Sequence, residues 1–226
     1  MLLTSVSDGT VHRTEKVQIP MVLIFFKNGL RRSVSSTLEH RTPLLRDRRS
    51  SFCYSPRMSS IVQDGELVLR KTAEPVAAEL FGTPELNAIL RDMEESLDAQ
   101  PDGVALAAPQ IGISLCIFIV RYDRIVPPQD TPLPADVGIY INPEFVKSSK
   151  RRVEMDEGCL SVRGIYGKTM RHDRATVKAY DADGKPFERG GGGILAQIFQ
   201  HETDHLNGIL FVDHATDMIE VKRDHA

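Results

Sequence analysis

The strongest helical period in the chain runs from Pro84 to Leu97, where Leu86, Ile89, Leu90, Met93 and Leu97 fall on one apolar face. Thr83 stands at the capping position, Pro84 suits the first helical position, and Asp102-Gly103 supplies the stop. Leu67-Val68-Leu69-Arg70 and Pro75-Val76 lead into that helix. Leu115-Cys116-Ile117-Phe118-Ile119-Val120 is an unbroken apolar run of strand length, which predicts a buried strand with Cys116 as a packing residue. Ile139-Tyr140-Ile141 predicts a further strand, ending before Asn142-Pro143. Ala175–Tyr180 alternates as strands do, and Asp181-Ala182-Asp183-Gly184 turns it back towards Pro186-Phe187-Glu188. A second helical stripe is of another kind: Ile194 and Ile198 share their face with His201 and His205. Between these elements, Pro127, Pro128, Pro132 and Pro134 predict an irregular surface loop. Gly190–Gly193 reads as a flexible connection, lacking the Lys-Ser/Thr that a phosphate loop needs.

Charge divides the chain where hydropathy does not. Residues 1–57 carry ten Lys/Arg against four Asp/Glu, and 58–226 carry eighteen against twenty-seven. A basic extension thus precedes an acidic body that has no general electrostatic attraction to nucleic acid. The extension is Arg- and Ser-rich with little apolar periodicity, so it is expected to be disordered. It reads as upstream sequence before a start at Met58, as an organellar transit peptide, or as a basic tail; Asp8 and Glu15 sit badly in a transit peptide. The remainder, 58–226, suffices for one domain with a core. Three cysteines make no disulfide framework, and Met21–Phe26 is too short to span a membrane and lacks a nearby cleavage site. These features predict an intracellular protein without membrane association.

The candidate chemistry lies in Gln200-His201-Glu202-Thr203-Asp204-His205-Leu206-Asn207-Gly208. Two imidazoles four residues apart lie one turn apart on a helix and can share a metal ion, with Glu202 beside any water there. A surface helix holding these residues by accident is the plain alternative, so a third ligand decides. One large group of metalloproteases places it six residues after the second histidine, where this chain has Phe211; Glu220, the downstream acidic candidate, is poorly placed. Cys159, in Glu157-Gly158-Cys159-Leu160-Ser161, sits among small and polar residues, unlike Cys116. One thiolate and two imidazoles leave a fourth tetrahedral position open, and such a mixed sulfur–nitrogen set suits Zn2+ or Fe2+. Gly103-Val104-Ala105-Leu106-Ala107-Ala108-Pro109-Gln110-Ile111-Gly112 reads as a loop that another backbone can approach, with Gln110 able to donate to a carbonyl oxygen.

Taken in order, the Gly103–Gly112 stretch, Glu157–Ser161 and Gln200–His205 resemble the signatures of the peptide deformylases, over about Ile61 to Asp213. Leu69-Arg70-Lys71 resembles the family's early residues and supports a start at Met58. The resemblance implies an α+β fold in which antiparallel strands wrap around a central helix that carries the HExxH motif. It implies removal of the formyl group from the N-terminal formyl-methionine of new polypeptides, releasing formate. Cys159, His201 and His205 would bind one ion, Fe2+ foremost, with Zn2+ or Ni2+ as substitutes. Glu202 would be the general base, and the Gln110 amide and Leu160 N–H the donors to the charged oxygen. Glu157 and Arg171 would steady the cysteine loop from outside. Gly103, Val104 and Ala105 would flank the peptide backbone, Tyr166 would touch the rest of the peptide, and Ile194 and Ile198 would wall a methionine pocket. Formylated nascent chains at the ribosome are the implied partners, in a bacterial cytoplasm, or in a mitochondrion or plastid if residues 1–57 are a transit peptide. Two departures stand out: Ala105 replaces a glycine, which would narrow the cleft or strain its loop, and Arg163 replaces a proline, which would change the rim and its charge. Two rivals to the deformylase reading are a zinc peptidase and a non-catalytic relative that binds formylated chains or ribosomes.

Overall fold

In the computed structural model, which describes residues 60–126 and 136–221, the first amphipathic stripe is helix α1 (Pro84–Asp98). The Thr83 hydroxyl accepts the Leu86 N–H at 3.2 Å, and all five residues of the predicted apolar face are buried. Helix geometry ends at Ala99, slightly ahead of the Asp102-Gly103 stop.

Eight strands are found among the described residues. The first three are β1 (Ala105–Ala107), β2 (Ile117–Arg121) and β3 (Val137–Ser148), with the single turn α2 (Tyr122–Ile125) after β2. Then come β4 (Arg152–Cys159), β5 (Val162–His172), β6 (Arg174–Tyr180), β7 (Pro186–Gly192), helix α3 (Ile194–Leu206) and β8 (Thr216–Glu220). One sheet has the order β1-β2-β3-β6-β7 and the other β4-β5-β8, and every strand pairing is antiparallel. The architecture is a mixed α+β fold with antiparallel sheets and few helices.

Period-two alternation explains why Leu115–Val120 is apolar without a break. Leu106, Ile117, Ile119 and Ile141 pack in one cluster with α1, whereas Ala105, Ala107, Phe118, Val120 and Tyr140 pack in another with Ala196, Ile198 and Phe199 of α3. Both faces of β2 are therefore covered, so no position along it can be polar until Arg121. Phe118 stacks on Tyr140 at 4.5 Å between ring centroids, and Phe199 tilts against Tyr140 at 5.3 Å, pinning α3 to the sheet. Cys116 lies just before β2, half-buried, with its thiol 3.3 Å from the Ala73 carbonyl.

Three expectations need correction. The Gly103–Gly112 stretch is not a plain loop: Ala105–Ala107 is a buried strand paired with Phe118–Val120, followed by a 3-10 turn over Ala108–Ile111 that Gly112 leaves at φ 83°. Ala105 is ordinary strand backbone and stores no left-handed strain. The strand at Ile139–Ile141 does not stop at Asn142-Pro143. It continues to Ser148 through a bulge at Asn142 (φ 49°), whose amide bonds both the N–H and the carbonyl of Val76. Gly190–Gly193 is not a flexible connection either, because Gly190, Gly191 and Gly192 pair in register with Thr176, Ala175 and Arg174. A Cβ on Gly191 would come within 2.7 Å of the Leu195 side chain, so the bare ladder is what lets the start of α3 pack down onto it. Gly193 caps α3 at φ 56°. The basic extension 1–57 and the proline-rich loop at Pro127–Pro134 lie outside the described residues. No helix among the described residues is long and apolar enough to cross a membrane.

Candidate active site

Strands β4 and β5 form a hairpin whose register slips between Gly158 and Cys159, so that Cys159 faces Val162 across a turn made by Leu160 and Ser161. The slip leaves the Cys159 thiol at the hairpin tip rather than in the ladder. Facing it, α3 presents His201 and His205 one turn apart, with ring centroids 4.9 Å apart and planes at 80°. The sulfur and one nitrogen of each ring lie within 4.8 Å of one another, and Sγ is 3.2 Å from His205 Nε2. The Ser161 N–H donates to Sγ at 3.3 Å and the Gln110 amide at 3.6 Å. One soft sulfur and two imidazole nitrogens converging on a common point fit a transition-metal ion.

Behind this trio lies a buried polar cluster. Glu157 accepts from His201 Nδ1 at 2.6 Å, from Arg171 Nη2 at 2.6 Å and Nε at 2.9 Å, and from the Thr169 hydroxyl at 2.5 Å. Arg171 Nη1 reaches Asp204 Oδ2 at 2.6 Å. Burial pushes the Glu157 carboxyl up, but the hydrogen bonds and charges of His201 and then Arg171 outweigh it and hold it well below the usual carboxylate range. By bonding Nδ1, Glu157 leaves Nε2 of His201 as the atom turned to the shared point. Glu202 is the opposite case. It is 3% exposed, its Oε2 has no hydrogen-bond partner among the described residues, and burial, helped by Glu157 and Asp204 and opposed by His201, pushes its carboxyl up to about 7. A carboxylate so placed takes up and returns protons near neutral pH.

A cavity of about 650 Å³, counting its open mouth, leads to these groups. Asp102, Gly103, Val104 and Ala105 form one wall, and Leu160, Val162, Arg163 and Tyr166 belong to the other; Gln110, Cys159, Gln197, Ile198, His201 and Glu202 close the inner end. The Gln110 side-chain Oε1 accepts the Ala107 N–H at 2.8 Å, which fixes the amide's orientation and turns its NH2 towards Ser161 Oγ and Cys159. Tyr166 pairs opposite Gly158, and a Cβ there would strike its ring at 2.8 Å.

The model of the polypeptide deformylase family matches residues 58–220, which takes in both walls and all three converging side chains. The chain belongs to the polypeptide deformylase family. It is 40% identical over 161 residues to a peptide deformylase of Thermomicrobium roseum, covering 70% of this chain and 86% of the relative. A peptide deformylase structure from Legionella pneumophila superposes with a TM-score of 0.62 at 40% identity, covering 71% of this chain and 88% of that one. An inhibitor complex of the Plasmodium falciparum peptide deformylase gives 0.59 at 33% identity, over 70% and 90%.

Of the residues singled out in the sequence, the structure brings Cys159, His201, His205, Glu202, Gln110, Leu160, Glu157 and Arg171 together at the cavity or directly behind it. Gly103, Val104, Ala105, Tyr166 and Ile198 line it. Ile194 does not; it packs on the Phe118–Phe199 cluster. Thr169, Asp204 and Gln197 went unassigned in the sequence. Thr169 and Arg171 share one face of β5, so alternation back from Arg171 could have found Thr169. Gln197, 3% exposed, donates to the Asp156 carbonyl at 2.8 Å, and a polar residue one turn before His201 on an otherwise apolar stripe was its signal.

Proposed function

We propose that this chain removes the formyl group from the N-terminal formyl-methionine of newly made polypeptides, as a metal-dependent hydrolase that releases formate. The observation that carries the reading is the convergence of Cys159, His201 and His205 beside a buried Glu202 at the closed end of a cleft. The relatives bear the name peptide deformylase, which disfavours a zinc peptidase or a non-catalytic binder. We assign residues 58–226 as the catalytic domain, with 1–57 outside it, because the family match starts at Met58. The HExxH helix, α3, is the element around which we arrange the site, since it packs against strands of both sheets.

Cys159, His201 and His205 would hold one ion, Fe2+ foremost, with Zn2+ and Ni2+ accepting the same donors. That ion would supply Lewis acidity, polarising the formyl oxygen and acidifying water near neutral pH. The chain's own groups do the rest. A peptide lying along the outer edge of β1, past Gly103, Val104 and Ala105, would pair with backbone there and bring its formyl carbon to the inner end. Ile198, reinforced by Ile194 behind it, offers an apolar surface to the methionine side chain, and Tyr166 covers the residues after that methionine. Glu202 takes the proton of the attacking water and passes it to the amine nitrogen as the C–N bond breaks, giving formate and a free N-terminus. The Gln110 amide, held by Ala107, donates to the oxygen that gains charge, with the Leu160 N–H as second donor. Nascent chains at the ribosome are the natural source of such substrates, in a bacterial cytoplasm or an organelle that begins synthesis with formyl-methionine.

Formate release from formyl-Met-Ala-Ser tests the reading. Metal-loaded protein releases formate, whereas Glu202→Gln keeps its metal and loses at least about 10²-fold in rate. Release from metal-loaded wild type that survives unchanged in Glu202→Gln removes Glu202 from the chemistry. Turnover of unformylated peptide restores the peptidase.

A further inference from the structure

Arg163, the second residue of β5, reaches across the mouth of the cavity. Its Nη1 lies 2.5 Å from Asp102 Oδ2 and its Nη2 2.6 Å from Gln100 Oε1. Both partners belong to the segment that connects α1 to β1, the wall on the other side of the cleft. β1 belongs to the five-stranded sheet and β5 to the three-stranded one, so no ladder joins the two walls. The segment is also gripped from behind: Arg124 Nη1 donates to the carbonyls of Gln100 at 3.1 Å and Gly103 at 2.7 Å, and its Nη2 to Asp98 at 2.7 Å. Gly103 has no slack, because a Cβ there would meet Leu97 at 2.8 Å and Leu160 at 3.1 Å. With one wall braced from the rear, the bridge from Arg163 sets how far the other stands from it. The Arg163 and Asp102 side chains are 27% and 15% exposed, so the pair stands partly open to solvent and within reach of a peptide in the cleft.

We propose that Arg163 is a specificity-determining residue whose ionic clasp on Asp102 and Gln100 fixes the width of the cleft mouth and thereby the affinity for the peptide beyond its formyl-methionine. The proposal rests on the deformylase reading above. Among the described residues, the side-chain bonds of Arg163 go to Asp102 and Gln100 and to no group assigned to the reaction, so the clasp acts on how the peptide is held and leaves the reacting end alone. A substrate that ends at methionine does not extend between the clasped walls and is indifferent to it.

The experiment compares wild type, Arg163→Gln, Asp102→Asn, their double variant and Arg163→Lys, all metal-loaded full-length chains whose folding is checked by circular dichroism. Formate release is followed with formyl-Met-Ala-Ser and with formyl-methionine amide, and binding of the product Met-Ala-Ser is measured by calorimetry. Each single neutralisation raises KM for the tripeptide and Kd for the product about five-fold, with kcat within about two-fold of wild type. The double variant is no worse than Arg163→Gln alone, because losing the guanidinium already removes the bond to Asp102. Arg163→Lys, which keeps the charge on Asp102, recovers part of the loss. KM for formyl-methionine amide stays at the wild-type value. Additive effects in the double variant, a fall in kcat at constant KM, or equal loss on both substrates would overturn the clasp. A wild type that binds Met-Ala-Ser but releases no formate contradicts the deformylase reading, and the calorimetric comparison then still decides the clasp.

Discussion

Two arginines tie β5 to other parts of the molecule, and they teach different things. Arg171 is 5% exposed, with Glu157 at 4%, in a cluster that ends on His201. Arg163, eight residues earlier on the same strand, bridges the cleft mouth with its side chain 27% exposed. The chemistry is the same guanidinium and carboxylate; the dielectric around it is not. A buried charge cannot fall back on water when its partner goes, so Arg171 is bound up with the existence of the site. At the mouth, water replaces a lost partner cheaply, so Arg163 governs affinity and leaves the fold alone.

The largest effect should come from Arg171→Met, which strands the Glu157 carboxylate and should cost about 3–5 kcal/mol in urea unfolding. Through Glu157 and His201 it should also weaken metal retention about 10–100-fold in a chelator competition. Unchanged stability would erase the contrast. Thr169→Val removes a single donor from the same carboxylate and should cost about 1.5–3 kcal/mol, read by the same unfolding curve. Arg163→Gln, by contrast, should shift stability by less than about 1 kcal/mol even while it alters peptide binding. A third arginine extends the series to the surface. Arg70 bonds Asp213 and Asp64, and all three side chains are more than one-third exposed. Burial raises the Asp213 carboxyl, but the bonds it accepts from Arg70 and the Leu210 N–H together bring it below its ordinary value. A depressed folded-state pKa gives stability that is complete above the unfolded value and fades as pH falls through the folded one. The melting temperatures of wild type and Asp213→Asn should therefore differ slightly near neutral pH and converge in acid, as followed by thermal melts across that range.

The same contrast explains why some of the molecule was legible in the sequence and some was not. α1 was legible because its cap, first-turn proline and apolar face are local. The two histidines were legible for the same reason, and Cys159 stood out by its small, polar neighbours. The cluster behind them was legible only through family resemblance, since Glu157 meets Arg171 and Gln197 from 14 and 40 positions away. Glycine misled twice. Gly190–Gly192 has the composition of a hinge, yet the backbone of β6 pairs with it and Leu195 needs the space, and both facts belong to the tertiary structure. At Ala105 the methyl group suggested strain, which the extended strand backbone does not impose. Ile194 shares the helical stripe of the histidines, but a stripe wide enough to cover a sheet and a cleft cannot say which residue faces which.

The spacing of the site along the chain has a consequence for how the protein comes into being. Gln110 and Cys159 are 49 positions apart, and Cys159 and His205 a further 46. Contacts so distant in sequence form after the local helices and hairpins, because each closes a long loop. A chain emerging from its own ribosome, N-terminal end first, cannot bring Cys159, His201 and His205 together until α3 is out, near the end of its 226 residues. On the proposed metal reading, ion capture would therefore come at the close of folding, and its free energy would add to the stability of the finished molecule and to no shorter fragment.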